Sequence, residues 1–322
     1  MGVYKYNGDA VTIDTDGIST PEHYGAVGDG QTDDTSAIQA AVNNAGLILF
    51  GAGKQYKISS PIRLKKGTVV DLNGAAIVSS DNHAFYNFLD GDSYSEYNGN
   101  GNIKIRNGRI IGGCISFIHG DNIRVTGVGF ENCLNDHFME ICACKDYVIE
   151  GCSFVGMKYR ANATLEYINF DTNASYAAFP HNRAGQSDST FYDMSVSEGV
   201  TVHDCYFSIG SGDYAYGFNA IGAHARNVNG TYTKDVTLIN NTIRGFTGCG
   251  IRVNAMDGIM VSDNDIQTTG DGIRIGDVAD SKNIVIKDNY VQCSGTNLVR
   301  TSGRYADLTV FGNGTKGDTQ EF

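Results

Sequence analysis

Tryptophan is missing from this chain of 322 residues, and proline occurs three times. Basic residues are scarce as well: 24 Lys and Arg against 36 Asp and Glu leave a net charge of -12. Affinity for a phosphate backbone comes from clustered cations that displace counterions, so a nucleic-acid partner is not expected. No run of 18 apolar residues occurs and Met1 is not followed by a basic-then-apolar leader. Neither a membrane span nor a secretory signal is therefore expected. Eight cysteines, at 114, 133, 142, 144, 152, 205, 249 and 293, follow no metal-ligand spacing. Stacked reduced thiols are the expected reading over disulfides, with Cys142 and Cys144 two apart on one strand face.

What the chain has instead is glycine, 41 residues of it, and a repeat. The segments Val236/Leu238/Asn241/Ile243, Ile259/Val261/Asn264/Ile266 and Ile284/Ile286/Asn289/Val291 share one grammar: apolar residues spaced by two, a small polar residue, then apolar. Their leading residues align as Ile103, Ile123, Tyr147, Val200, Val236, Ile259, Ile284 and Leu308, mostly 20 to 25 apart. Spacing by two specifies strands, and self-similarity at this period specifies a solenoid whose coils bury one another. Glycine admits the tight turns between strands, while proline would delete ladder hydrogen bonds. The fold class expected is all-β: a right-handed parallel β-helix, its hand following from the rule for parallel crossovers. Asn241, Asn264 and Asn289 should stack as an interior amide ladder, with Cys152 and Cys205 in the same column.

Residues 1–20 are polar and read as an irregular lead-in; 21–322 read as a single β-helix domain with regular coils over about 103–313. Asp33 and Asp34 precede a face of Ala37, Ile38, Ala41 and Val42, with Gly46 beyond. This predicts a short α-helix, about 33–45, covering the open N-terminal end of the solenoid. The stretch His23-Tyr-Gly-Ala-Val-Gly-Asp-Gly-Gln-Thr-Asp-Asp-Thr, continued by Leu47-Ile-Leu-Phe-Gly-Ala-Gly-Lys-Gln-Tyr-Lys-Ile-Ser59, resembles the N-terminal signature of the pectate-lyase-like β-helix superfamily, shared by glycan-active enzymes and phage tailspikes. That resemblance covers about the first 80 residues and is specific for architecture rather than reaction.

Two coils are lengthened, by segments at about 172–199 and 208–219, and loops on a rigid scaffold often carry function. In the second strand of each coil the residues between the apolar ones point outward. Read coil by coil they form two columns: Glu140, Asn169, Gly222, Arg252, Arg274, and beside them Cys142, Asp171, His224, Asn254, Gly276. Neighbouring coils lie about 4.8 Å apart. Asp171 and His224 should then be adjacent, and Glu140 diagonal to Asp171 at roughly 8 Å between Cα atoms. Carboxyl groups ~6.5–9.5 Å apart suit inverting glycoside hydrolysis. Glu140 is the candidate acid, Asp171 the base and His224 a tuning or proton-carrying group. Arg252 and Arg274 could hold an anionic sugar or counter a carboxylate, Asn169 could take sugar hydroxyls, and Gly222 leaves a gap.

His137 and Glu166 share the inward parity but sit at strand starts, where a turn could expose them; they rank as substrate-binding candidates. His119, His181 and His203 read as surface or turn histidines. Tyr206, Tyr214, Tyr216 and Phe218 gather at the second insertion and Phe179, Phe191 and Tyr192 in the first, with Tyr214 and Tyr216 the candidates for stacking on sugar rings. No metal or other cofactor is expected, since Asp171 with His224 supplies two ligands where a site needs three or four.

The pairs His137/Glu140, Glu166/Asp171 and Gly222/His224 look like segments of β-helical tail proteins of phages infecting Gram-positive bacteria. That resemblance implies a cell-surface polysaccharide as partner, a virion-tail or extracellular location and a homotrimer. From the residues, hydrolysis, β-elimination with His224 and Arg252, and non-catalytic glycan binding all stay open.

Overall fold

The computed structural model describes residues 2–6, 9–13, 17–88, 94–134, 137–159, 165–173, 193–223, 230–276, 279–294, 299–301 and 305–315. Each regular coil is three strands rather than two, as in Met256–Ser262, Asp265–Thr268 and Asp271–Ile275. The coils stack with every inter-coil pairing parallel, as a right-handed β-helix. Register follows the repeat read from the sequence: Ile123 lies opposite Tyr147, Tyr147 opposite Val200, Val236 opposite Ile259, Ile259 opposite Ile284, and Ile284 opposite Leu308.

The corner between the first two strands explains the recurring polar residue. Asn241 N and Nδ2 both donate to Asn264 Oδ1, at 2.9 and 3.0 Å. Asn264 repeats the pattern on Asn289, and Asn289 on Asn313, a fourth rung. At the other end Cys205 N donates to Asn241 Oδ1, and Cys152 N to Cys205 Sγ at 3.4 Å. Turning the corner requires a left-handed residue just before each rung. Asp204, Asn240, Asp263 and Asp288 supply it at four rungs, with φ of 54 to 56°, and Gly151 and Gly312 at the two end rungs, Cys152 and Asn313. Short polar side chains tolerate that conformation, so glycine is not the main device here.

Inside, like residues sit on like. Phe130, Phe154 and Phe207 stack at 4.9 and 4.8 Å between centroids and 9° between planes, which is the spacing of adjacent strands. The α-helix spans Thr35–Asn44 and buries Ala37, Ile38, Ala41 and Val42 against the first coils. Gln39 clamps the backbone N–H and C=O of Arg63 at 2.8 and 3.1 Å. Asp34 does not cap the helix with its side chain; its carboxylate accepts from Val27 N and Gly28 N at 2.7 and 3.0 Å, closing the glycine-rich loop before it. The helix ends at an extended Ala45, so Gly46 is not its stop.

The first twenty residues are not irregular throughout. Gly2–Tyr6 pairs antiparallel with Asp9–Ile13, and Ile18–Ser19 pairs with Leu47–Ile48. Coil-to-coil pairing also begins before 103, with Leu47–Leu49 against Val69–Asp71. Cys142 and Cys144 do not share a face. The chain turns at Ala143, φ 51°, leaving Cys142 in an outer apolar cluster and Cys144 in the main core. No disulfide forms among the described residues. No helix among them is long and apolar enough to cross a membrane.

Candidate active site

The third strands of successive coils form a nine-stranded parallel sheet running from Ile62–Arg63 to Val299–Thr301. Met139, Ile141, Ile168, Phe170, Ile221 and Ile251 point from it into the core. The residues between them form the outward columns. Ser116, Glu140, Asn169, Gly222, Arg252 and Arg274 are opposite one another in turn. Beside them Ile118, Cys142 and Asp171 make a second column. Glu140 and Asp171 thus occupy adjacent strands on one face, diagonal to each other.

A break in alternation recruits two more residues. Phe138 and Met139 both enter the core, as do Tyr167 and Ile168. Two consecutive inward residues reverse the parity of everything before them, so Glu166 turns to the outer side despite its count. It heads a third column of Glu166, Asn219, Cys249 and Asp271. Arg252 Nη1 donates to Glu166 Oε1 at 3.0 Å and Asn219 Nδ2 donates to the same oxygen at 3.1 Å. The two charged residues are two coils apart, and the arginine passes over Gly222. A Cβ on Gly222 would meet Arg252 Cβ at 2.8 Å and Glu166 Cγ at 3.2 Å. The gap at Gly222 is therefore the passage of an ion pair, not a space left for ligand. His137 Nδ1 contacts the Glu166 carbonyl oxygen at 2.5 Å.

The remaining bonds separate the roles these groups can take. Ser116 Oγ donates to Glu140 Oε2 at 3.2 Å. A hydroxyl can reverse and accept, so this contact survives protonation of the carboxyl. Asn169 Nδ2 donates to Asp171 Oδ2 at 2.8 Å; an amide N–H can only donate, which holds that oxygen as an acceptor. Arg274 is engaged by Asp271, with Nε and Nη2 at 2.9 and 2.8 Å from Oδ2, and by the Gly248 carbonyl. Burial and the neighbouring Asp171 carboxylate push the Cys142 thiol well up, so it stays protonated beside the site.

Outward does not mean exposed here. Glu140, Asp171, Glu166 and Arg252 retain 5, 8, 0 and 7 % exposure. Tyr86, Phe88, Ile118, Cys142 and Ala143 form a second apolar cluster, which Tyr94 joins from the loop preceding the Lys104–Ile111 strand. The outward-pointing columns are therefore sheltered from solvent.

His224 lies outside the described residues, as do His181, Phe179, Phe191 and Tyr192. Tyr214, on a short 3-10 turn, and Tyr216 are half-buried; Tyr216 packs edge-on to Tyr159 at 5.4 Å, and its carbonyl accepts from the Tyr167 hydroxyl. His119 is no surface histidine. It is fully buried at a left-handed turn, with Nδ1 at the Glu96 carbonyl and Nε2 3.1 Å from Asn173 Nδ2. Asn173 in turn donates to Asp193, which also accepts from Ser195. That network, and Asn219 and Asp271, escaped the sequence reading. The parity break was legible as paired apolars in Phe138-Met139 and Tyr167-Ile168, whereas nothing in the spacing ties Asp193 to His119. Among the described residues no three His, Cys, Asp or Glu converge as a metal site requires.

A family model described as rhamnogalacturonase A/epimerase, pectate lyase-like, matches residues 18–274. The chain belongs to that family. This member of the rhamnogalacturonase A/epimerase family is 26 % identical over 278 residues to the plasmin and fibronectin-binding protein A of Streptococcus pneumoniae, an alignment covering 75 % of this chain and 38 % of the relative. It thus spans well under half of that protein. A crystal structure of PfbA, a surface adhesin of S. pneumoniae, superimposes with a TM-score of 0.77 at 20 % identity, covering 94 % of this chain and 82 % of the other. The tailspike protein of E. coli bacteriophage HK620, solved in complex with a hexasaccharide, gives 0.68 at 15 % identity, covering 93 % and 57 %. At these identities the structural likenesses establish the fold of this family member and nothing finer.

Proposed function

We propose that this family member degrades a cell-surface polysaccharide by glycoside hydrolysis, with Glu140 as general acid and Asp171 as general base. The observation that carries the reading is the pairing of these two carboxyl groups across adjacent coils, about 8 Å apart between Cα atoms on strand geometry. Side chains borne on such diagonal positions can set their carboxyl groups ~6.5–9.5 Å apart, the range in which one protonates the leaving oxygen while the other activates water. Their bonding partners support the division of labour: a reversible hydroxyl on Glu140, an obligate donor on Asp171. Glu166 is the weaker candidate for either role, because Arg252 and Asn219 both draw on its carboxylate. Asn169 beside the pair and Arg274 three strands further along are the sugar-binding groups, and His224 is assigned the neighbouring proton-handling position by its column. Tyr214 and Tyr216 border the second insertion as stacking candidates.

A non-catalytic glycan-binding role is the second reading, favoured by the relative that is a surface adhesin. Elimination is less supported, since Arg252, its required cation, already serves Glu166. A virion-tail or surface location and a homotrimer belong to the same proposal, on the sequence resemblance to phage tail proteins. A screen of surface polysaccharides, followed for reducing ends and for ultraviolet absorbance, tests the proposal. Reducing ends without absorbance support hydrolysis, absorbance supports elimination, and neither at high protein concentration leaves only binding.

A further inference from the structure

The corner that carries the amide ladder changes chemistry at its N-terminal end. Its asparagine-to-asparagine contacts each bring a backbone N–H and a side-chain N–H onto one oxygen, at 2.9 to 3.0 Å. From Cys152 to Cys205 the backbone makes a single contact to sulfur, at 3.4 Å. That weaker rung joins residues 53 apart in sequence, the longest detour along the ladder. The entropy lost in bringing two ends together grows with the chain between them, so bonding is thinnest where closure costs most.

The two cysteines are placed for a covalent rung. Glu150 lies opposite His203 just before them and Ser153 opposite Tyr206 just after, so they face each other across one strand spacing, about 4.8 Å. Disulfides span about 4.4–6.8 Å between Cα atoms. Tyr206 N donates to the Cys152 carbonyl at 2.9 Å, which holds the two backbones together. Both residues are buried in the main core. Their thiols also bond to each other: the Cys205 thiol holds Cys152 below the ordinary thiol range, while the same bond and burial push Cys205 up. Cys152 is therefore the member that ionises first. The other cysteines on paired strands face different residues, with Cys133 opposite Met157, Cys142 opposite Asp171 and Cys293 opposite Thr268.

We propose that Cys152 and Cys205 are a modification site, closing into a disulfide that fastens the longest detour when the chain folds in the presence of a small-molecule disulfide such as oxidised glutathione. The Cys152 thiolate attacks one sulfur of that molecule, forming a mixed disulfide and releasing a glutathione thiolate. Cys205 then loses its proton to solvent and attacks the Cys152 sulfur, releasing the second glutathione. Two protein thiols are oxidised and one glutathione disulfide is reduced. Because the finished core encloses both sulfurs, the exchange belongs to the stage before this corner packs. The bond ties the two ends of residues 153–204, the stretch that carries Glu166, Asp171 and the first insertion, and it does not depend on the glycan-directed reading.

Folding the whole chain from urea in mixed reduced and oxidised glutathione, and isolating the folded fraction by size exclusion, tests this. Two of the eight cysteines should no longer react with a thiol reagent in denaturant, and peptide mapping without reductant should join the peptides of Cys152 and Cys205. The melting temperature should rise by about 5 °C over the chain folded in dithiothreitol, and fall back on reduction. Cys205→Ser treated alike should keep every remaining thiol and show no oxidant-dependent rise. Eight reactive thiols in the folded fraction, a bridge between other cysteines, or a Cys152–Cys205 bridge that leaves the melting temperature unchanged overturns the proposal. These outcomes are read on the natural sequence, so they decide the matter even where Cys205→Ser fails to fold.

Discussion

Replacing Asn264 by leucine tests the amide ladder, and its cost can be worked out bond by bond. The Asn264 side chain accepts from Asn241 N and Nδ2 and donates to Asn289 Oδ1, Leu238 O and Ser262 O. Most of these partners keep something when it goes. Asn241 Nδ2 retains Val202 O at 2.9 Å, and Asn289 Oδ1 retains the backbone N–H of residue 264 at 3.0 Å. The Asn241 backbone N–H has no other acceptor among the described residues, and a buried orphan donor costs about 1–3 kcal/mol. Leucine should therefore destabilise by about 1–3 kcal/mol, or roughly 2–4 °C per kcal/mol for a large domain. The chain supplies its own control, because Cys205 and Cys152 hold the same position and Cys205 Sγ accepts from Cys152 N. Asn264→Cys should cost less than Asn264→Leu in urea melts followed by circular dichroism. A neutral leucine variant, or a cysteine variant as unstable as leucine, refutes the reasoning.

Glu140→Gln and Asp171→Asn should each lower turnover by about 10²–10⁴, with melting temperatures nearly unchanged; full activity in either removes that residue from the mechanism. Glu166→Gln or Arg252→Met alone should destabilise by about 3–5 kcal/mol, because each strands a buried charge; the double variant should recover part of that loss in a double-mutant cycle, and strict additivity would contradict the pairing. Burial alone would raise the pKa of Asp193, but hydrogen bonds from Ser195 and Asn173 outweigh it, so its carboxyl titrates below the ordinary range. That contribution to stability is present above about pH 4 and lost as pH falls through the depressed value. Asp193→Asn should flatten the acid limb of a stability-against-pH curve, and an unchanged limb would sink the assignment.

The coil register was legible because apolar residues at intervals of two, restarting with the same polar corner, admit few other arrangements. It put Glu140 opposite Asn169 and Arg252 opposite Arg274, as found. What the count could not deliver came from departures from strict alternation. Two inward residues in succession, Tyr167 and Ile168, carried Glu166 to the outer side and gave Arg252 a partner two coils away. Outward parity also says nothing of what covers a face, and Tyr94 reaches its cluster from a loop no periodicity describes. His119 misled for a related reason: a turn position suggests solvent, yet this turn is roofed by Glu96, Asn173 and Asp193.

The rungs of the amide corner are separated along the chain by 53, 36, 23, 25 and 24 residues, yet stand one coil apart in space. Each rung bonds to the rung above and the rung below, so it resets the alignment once per circuit regardless of how much chain intervenes. Segments can lengthen, shorten or be exchanged between two rungs without passing an error to the next. A lineage that must keep changing what it grips could rewrite such excursions freely while the shaft beneath them stays true.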